Sequence, residues 1–239
     1  MNNIMRTLSI IIPAYNEEKT IIPLLQKVID VKLINDIRKE IVIVNDCSQD
    51  KTEQLVTGYI HSCAGNNIIL VNQEKNQGKG AAIRKGLSTI TGDYVIIQDA
   101  DMEYEPEDYN ILLEVFLKEN LKVLYGSRFL NPKNRHSYQS FYWGGRLVTW
   151  FTNLLYAQHL TDEPTCYKFF ETTFLKSIPL QCNGFEFCPE VTAKVAKSGI
   201  KIREVAINYY PRSIEEGKKI KWTDGLEALW TLLKYRFVD

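Results

Sequence analysis

The sequence predicts an α/β fold: a mostly parallel central sheet with helices on both faces and a C-terminal extension. Three observations predict it. Short β-branched runs recur between Leu8 and Ser127, each run is apolar on both faces, and the stretches between them carry helical apolar spacing. A strand buried on both sides needs cover above and below, and crossover helices provide that cover.

The expected strands are Leu8 to Ile12, Ile41 to Val44, Ile68 to Val71, Tyr94 to Ile97 and Val123 to Tyr125. The first helix between them has Ile21, Leu24, Leu25 and Val28 on one face, the second Leu55, Val56, Tyr59 and Ile60, the third Ile83, Leu87 and Ile90. After Ser127 the pattern changes to a polar loop containing Pro132, Lys133, Asn134 and Arg135, then to an aromatic-rich segment. The chain therefore divides functionally near residue 130 into halves 1–130 and 131–239 of one globular domain.

A chain of 239 residues, 45% of them hydrophobic, buries one substantial core. Its 29 basic and 29 acidic residues cancel, so no global field recruits nucleic acid, and charge-based recognition must be local. Five cysteines without a C-x-x-C pair argue against a disulfide framework or a structural zinc site and fit a reducing cytoplasm. No stretch resembles a secretory signal or reaches the roughly 18 apolar residues of a membrane span, so contact with a membrane would be peripheral.

Parallel sheets bind ligands at the carboxyl ends of their strands, and here those ends carry the chemistry. The first strand runs into Pro13-Ala14-Tyr15-Asn16-Glu17, the second into Asn45-Asp46, the fourth into Asp99-Ala100-Asp101. Two carboxylates two residues apart at a strand end can share one hard divalent cation, Mg²⁺ or Mn²⁺, with diphosphate oxygens and water completing its shell. Glu103 offers a third oxygen ligand. A simple turn accounts for an isolated D-x-D equally well.

The D-x-D is not isolated. The runs SIIIPAYNE, VNDCSQDKT, NQGKGAAIRKG and DYVIIQDADMEYEP together resemble the family 2 glycosyltransferases of GT-A fold, most closely their dolichol-phosphate mannose synthase-like branch, and the resemblance extends almost to the C-terminus. It implies that Pro13, Tyr15, Glu17 and Asp46 hold the base and ribose of a nucleoside-diphosphate sugar, with Ala14 and Ala100 inside the same donor-facing segments. The second motif departs from the family pattern at Asn45 and Cys47 but keeps Asp46. Asp50 and Thr52 suit a turn and a helix N-cap.

Gly78-Lys79-Gly80 lacks the spacing of a P-loop; its glycines suit a tight turn, and Lys79 is open to a role at the donor. The resemblance places Arg128 near donor and acceptor phosphates, where a guanidinium makes bidentate contacts, although a surface ion pair is the competing reading. The segment from Arg146 to Lys168 also resembles the branch, which has an arginine and an asparagine on this helix and then an aspartate-led loop. Leu147, Trp150, Phe151, Leu154 and Leu155 follow helical spacing on one face, for core packing or for an interfacial helix beneath a lipid tail. Glu190, then Glu186, is the acid that the family sets near donor sugar or acceptor; a first-turn helix acid explains either without catalysis. From Lys197 to Arg236, nine basic residues face five acidic, and Arg212, Lys218 and Lys219 resemble the basic loop that closes over the diphosphate.

The function so implied is inverting transfer of a hexose from a nucleoside-diphosphate sugar to a polyprenyl phosphate, with Asp101, Arg128 and Glu190 at the reacting centre. The expected location is the cytoplasm, at the membrane face, with the Arg146 to Ala157 helix and the basic C-terminal segment making contact. Transfer to a sugar or protein hydroxyl would promote Glu190 to general base. A nucleotidyltransferase would release pyrophosphate instead, and a silent nucleotide-sugar-binding subunit would bind donor without turnover.

Overall fold

The computed structural model describes residues 5–63, 66–135, 139–212 and 221–238. The predicted strands form as β1 (Thr7–Ala14), β2 (Arg38–Asn45), β3 (Ile68–Asn72), β4 (Tyr94–Ile97) and β5 (Val123–Ser127). Between them lie α1 (Ile21–Asp30), α2 (Thr52–Ser62), α3 (Lys79–Thr89) and α4 (Asp108–Lys118). The remainder supplies α5 (Gln139–Tyr156), β6 (Lys168–Glu171), α6 (Thr172–Ser177), α7 (Phe187–Lys197), β7 (Arg203–Ala206) and α8 (Trp222–Phe237).

The strands join one sheet in the order β3-β2-β1-β4-β6-β5-β7. All neighbours are parallel except β6, which runs antiparallel to both β4 and β5. Ile10, Ile11 and Ile12 of β1, Val42, Ile43 and Val44 of β2, and Val95 and Ile96 of β4 are wholly buried, as strands covered on both faces require. At Gly86 of α3 an added Cβ would sit 2.6 Å from a methyl of Ile11, so glycine lets this helix press directly on β1.

Because β2, β1 and β4 are adjacent and parallel, the ends carrying Asp46, Tyr15–Glu17 and Asp99–Asp101 lie side by side. The sequence holds no warning of β6, whose Lys168 is fully buried. Its ammonium donates to the Glu163 carbonyl at 2.5 Å and lies 3.8 Å from the Tyr125 ring centroid. A buried lysine held this way reads as polar loop in a local pattern.

Helices α5, α7 and α8 share a second, smaller core of Val148, Tyr156, Ala193, Leu232 and Tyr235. The expectation of one apolar face on α5 needs correction. Phe151 and Leu155 pack toward this core, whereas Leu147, Trp150 and Leu154 are exposed on a separate stripe. The helix is apolar on two sides, and among the described residues only one of them is covered.

Candidate active site

The loops after β1 and β2 fasten each other. Asn16, held at φ 51°, donates its backbone N–H to Ser48 Oγ at 3.0 Å, and its side-chain oxygen accepts from Gln49 N at 2.8 Å. Glu17 N donates to Thr52 Oγ1 at 2.8 Å and Glu18 N to Asp50 at 3.0 Å. Asp50 and Thr52 thus build the turn. Pro13 and Ala14 lie on β1 opposite Val44 and Asn45, and Tyr15 follows at the sheet edge.

Asp46 is buried, and its carboxylate accepts from Gln73 Nε2 at 2.6 Å, Gln77 N at 2.8 Å and Gly78 N at 2.8 Å. Burial raises its pKa against the pull of those donors. The acid assigned to donor binding therefore first shapes the loop leading into α3. Gly78 there has φ 96°, and a Cβ would meet the Asn183 carbonyl at 2.6 Å, so both conformation and space demand glycine.

That turn aims Lys79 at the β4 end, where its ammonium lies 2.5 Å from Asp99 Oδ1. Burial opposes the charge on Lys79, but the Asp99 carboxylate outweighs it and the pKa rises. Ala100 is buried. Asp101 faces Arg212, whose Nη2 is 3.0 Å from Asp101 Oδ2 and whose Nη1 is 3.4 Å from Glu17 Oε2. Burial first, then the charges of Asp99 and Glu103, push the Asp101 carboxyl up to about 7 despite Arg212.

Arg212 reaches this position because residues 209–212 are fastened along residues 103–104. Tyr209 pairs with Tyr104 in an isolated bridge, Tyr210 N donates to the Glu103 carbonyl at 2.8 Å, and Arg212 N donates to Glu103 Oε1 at 2.8 Å. The other Glu103 oxygen accepts from Tyr209 Oη at 2.8 Å. Glu103 is thus turned toward the C-terminal segment and away from the part expected of it, and among the described residues no three His, Cys, Asp or Glu side chains gather around a metal position. The donor set that remains, Asp99 and Asp101, still fits a hard cation. Both carboxylates are largely shielded from water, and burial first, then the charges of Asp99 and Glu103, raise the proton affinity of Asp101. Lys218 and Lys219 lie outside the described residues.

Arg128, at the β5 end, forms a fork on buried Asp162: Nε to Oδ2 and Nη2 to Oδ1, each 2.7 Å. Glu204 in turn holds the backbone N–H groups of Thr161 and Asp162 at 2.6 and 3.0 Å. The Arg128 guanidinium lies 5.1 Å from the Tyr209 ring and 6.0 Å from the Phe129 ring, and Arg146 of α5 lies 5.4 Å from that same Phe129 ring. Two guanidinium groups therefore lie near one aromatic ring, and Tyr209 links Arg128 to Glu103. Asn153 receives a different part from that of Arg146: its side chain clasps both backbone groups of Leu160 at 2.8 Å and shapes the loop to Asp162.

Glu190 does not stand where a base would. It is fully buried, accepts from Gln181 N, Cys182 N and Lys194 Nζ at 2.8 Å each, and its pKa falls because these donors outweigh burial. Its two oxygens hold the 181–182 turn to α7. Glu186 likewise accepts from Asn183 N and Gly184 N at 3.1 and 3.0 Å. Sequence reasoning reaches Asp162 only as part of the aspartate-led loop and does not single out Tyr209 or Glu204; their roles arise from pairings across 34 to 106 residues.

A family model described as glycosyl transferase family 2 matches residues 9–178. The chain belongs to glycosyl transferase family 2. It is 28% identical over 248 residues to a dolichyl-phosphate beta-glucosyltransferase of Dictyostelium discoideum, a match covering 96% of this chain and 74% of that protein. It is 28% identical over 229 residues to a UDP-N-acetylglucosamine–dolichyl-phosphate N-acetylglucosaminyltransferase of Methanococcus voltae, covering 88% and 89%. Among solved structures, glucosyl-3-phosphoglycerate synthase of Mycobacterium tuberculosis, in complex with Mn²⁺, UDP and phosphoglyceric acid, superposes with a TM-score of 0.71 at 19% identity. That superposition covers 98% of this chain and 80% of that one and establishes the GT-A fold for this family 2 member.

Proposed function

We propose that this family 2 enzyme transfers a hexose from a nucleoside-diphosphate sugar to a polyprenyl phosphate, with inversion. The carrying observation is that Arg128 and Arg146 both lie within 6.0 Å of the Phe129 ring, with Arg128 also against Tyr209, whose hydroxyl bonds Glu103. Arg128, locked on Asp162, and Arg146, held to the Thr161 carbonyl at 3.3 Å, make a station for a phosphate dianion. The names of the relatives support the same acceptor class.

In the reaction, an acceptor phosphate oxygen forms a bond to the anomeric carbon as the bond from that carbon to the diphosphate oxygen breaks, and the nucleoside diphosphate leaves with the electron pair. A phosphate is ionised at neutral pH, so no side chain has to take a proton from it. This agrees with the burial of Glu190. Arg128, locked by Asp162, fixes the acceptor's direction of approach, while Lys79 and Arg212 supply positive charge where the leaving group develops negative charge. Asp99 and Asp101 would hold Mg²⁺ or Mn²⁺, which supplies Lewis-acid neutralisation of the diphosphate.

Paired acceptors test this reading. A prenyl phosphate should accept hexose and the matching prenol should not, and Arg146→Gln should raise the acceptor KM by about tenfold or more with the donor KM unchanged. Efficient transfer to the prenol, or an Arg146→Gln variant with unaltered acceptor KM, would overturn the assignment.

A further inference from the structure

Gln98 follows β4 and precedes the Asp99–Asp101 pair, and its side chain is wholly buried. Its backbone N–H still joins β1, donating to the Ile11 carbonyl at 2.9 Å, but the ladders end here: β4 pairs with β1 as far as Ile97 and with β6 as far as Ile96. The Asp99 carbonyl lies past that end, and the Gln98 side chain takes it up, Nε2 donating to it at 2.9 Å. Two tyrosines hold the other end of the amide. Tyr109 of α4 and Tyr167, just before β6, donate their hydroxyls to Oε1 at 2.6 and 2.7 Å. Both tyrosines are wholly buried with ring centroids 5.7 Å apart, and Tyr167 is fixed further by the Tyr104 ring at 4.8 Å and by Gly126 N, which donates to its carbonyl at 2.8 Å. The amide can face only one way, because reversed it would set its oxygen against the Asp99 carbonyl.

We propose that Gln98 is a positioning residue for the divalent cation, its amide fixing the separation of the Asp99 and Asp101 carboxylates. Two peptide units lie between those side chains. The first carries the Asp99 carbonyl, so the bond from Nε2 fixes its plane, and the two tyrosine hydroxyls polarise the amide and strengthen that bond. On the far side Glu103 N donates to Asp101 Oδ1 at 3.1 Å across Met102, which is held at φ 64°. The pair is thus clamped from both ends. Packing alone asks for an apolar side chain at position 98, since burying an amide carries a desolvation cost that its hydrogen bonds only offset.

The inference rests on the proposed function in taking Asp99 and Asp101 as the cation's carboxylates. Groups that orient a metal ligand in this way typically change metal affinity by about 10- to 100-fold when removed. Mg²⁺ demands near-ideal octahedral geometry, whereas Ca²⁺ accepts flexible arrangements, so a shifted carboxylate pair should cost Mg²⁺ more than Ca²⁺.

The test is calorimetry on the whole chain with Mn²⁺, Mg²⁺ and Ca²⁺, each in the presence of UDP and, separately, of GDP, without acceptor. Gln98→Met, which keeps the volume and loses the amide, should bind Mn²⁺ and Mg²⁺ about 10- to 100-fold more weakly and lose less than about tenfold for Ca²⁺, with its circular dichroism preserved. Tyr167→Phe should weaken Mn²⁺ binding severalfold in the wild-type background and leave it unchanged in the Gln98→Met background, because the hydroxyl acts through the amide. A folded Gln98→Met variant with wild-type Mn²⁺ and Mg²⁺ affinity, or with an equal loss for Ca²⁺, would overturn the proposal; a lower melting temperature alone would make Gln98 a core residue only. Should Gln98→Met fail to fold, Tyr109→Phe and Tyr167→Phe decide: severalfold weaker Mn²⁺ binding supports the proposal and unchanged binding overturns it. Cation binding lost in Asp101→Asn but kept in Gln98→Met refutes this inference alone, whereas binding unaffected by Asp101→Asn refutes the cation reading of the proposed function and this inference with it.

Discussion

The Arg212 guanidinium lies 3.0 Å from Asp101 and 3.4 Å from Glu17, joining the carboxylates at the ends of two adjacent strands, β4 and β1. Its positive charge occupies ground that a divalent cation and a diphosphate would share. On the proposed function, the arginine and the cation would compete without donor, and with donor bound the arginine would have a diphosphate to turn to.

Arg212→Ala should therefore tighten Mn²⁺ binding in the absence of nucleotide by severalfold while lowering turnover by about 10²- to 10³-fold, the usual cost of losing one donor to developing charge. Calorimetry with Mn²⁺ alone checks the first outcome and steady-state kinetics the second. Weaker Mn²⁺ binding in the variant would contradict the competition.

The Asp101 carboxyl, pushed up to about 7 by burial and by Asp99 and Glu103, gives a pH dependence. A raised carboxylate pKa means that the folded site favours the protonated form at acidic pH, whereas a cation needs the ionised form. Cation affinity should rise with pH up to about 7, level off above it, and release a proton on binding below it. Titrations in buffers of different ionisation enthalpy would count that proton. Asp101→Asn should abolish the proton release and leave less than about a tenth of the turnover, a barrier change above roughly 1.4 kcal/mol.

Glu190→Gln should cost stability and not the reacting chemistry. Gln181 N and Cys182 N each donate to a separate oxygen of this carboxylate, and a glutamine amide would confront one of them with an N–H. The loss should be about 1–3 kcal/mol, seen as a lower Tm, with kcat within a few-fold of wild type. Because the Glu190 pKa is lowered in the folded state, its contribution is present above the unfolded value and is lost as pH falls through the folded one. A normal Tm with abolished turnover would restore Glu190 as a base.

Arg128→Lys should separate positioning from charge. Lysine keeps the positive charge but cannot fork onto both oxygens of Asp162. The acceptor KM should rise about tenfold or more with little change for the donor. Arg128→Ala should also lower the Tm, since it strands a buried carboxylate. Acceptor and donor titrations with thermal melts check both.

The residues that announce themselves in the sequence do so through local spacing. The five strands up to Val123–Ser127 follow from β-branched runs, and the sheet order then places Asp46, Glu17, Asp99 and Asp101 along one edge. The antiparallel β6 escapes that reading because buried Lys168 looks like loop. Glu190 leaves two readings open in the sequence for a related reason: an acid in the first turn of a helix has the same sequence context whether it faces a substrate or holds a buried turn, as its bonds to Gln181 and Cys182 do here. Glu103 likewise sits at ligand spacing, yet Tyr209 and Arg212, 106 and 109 residues away, turn its carboxylate aside.

The most direct measurement is product analysis: the chain incubated with nucleoside-diphosphate hexoses, a divalent cation and a polyprenyl phosphate, with lipid and nucleotide products identified by mass spectrometry. A lipid carrying one added hexose on its phosphate, formed in equal amount with nucleoside diphosphate and lost in Arg128→Lys and Asp101→Asn, is the result predicted here. Free hexose alone, released pyrophosphate, or hexose appearing only on hydroxyl acceptors would contradict it.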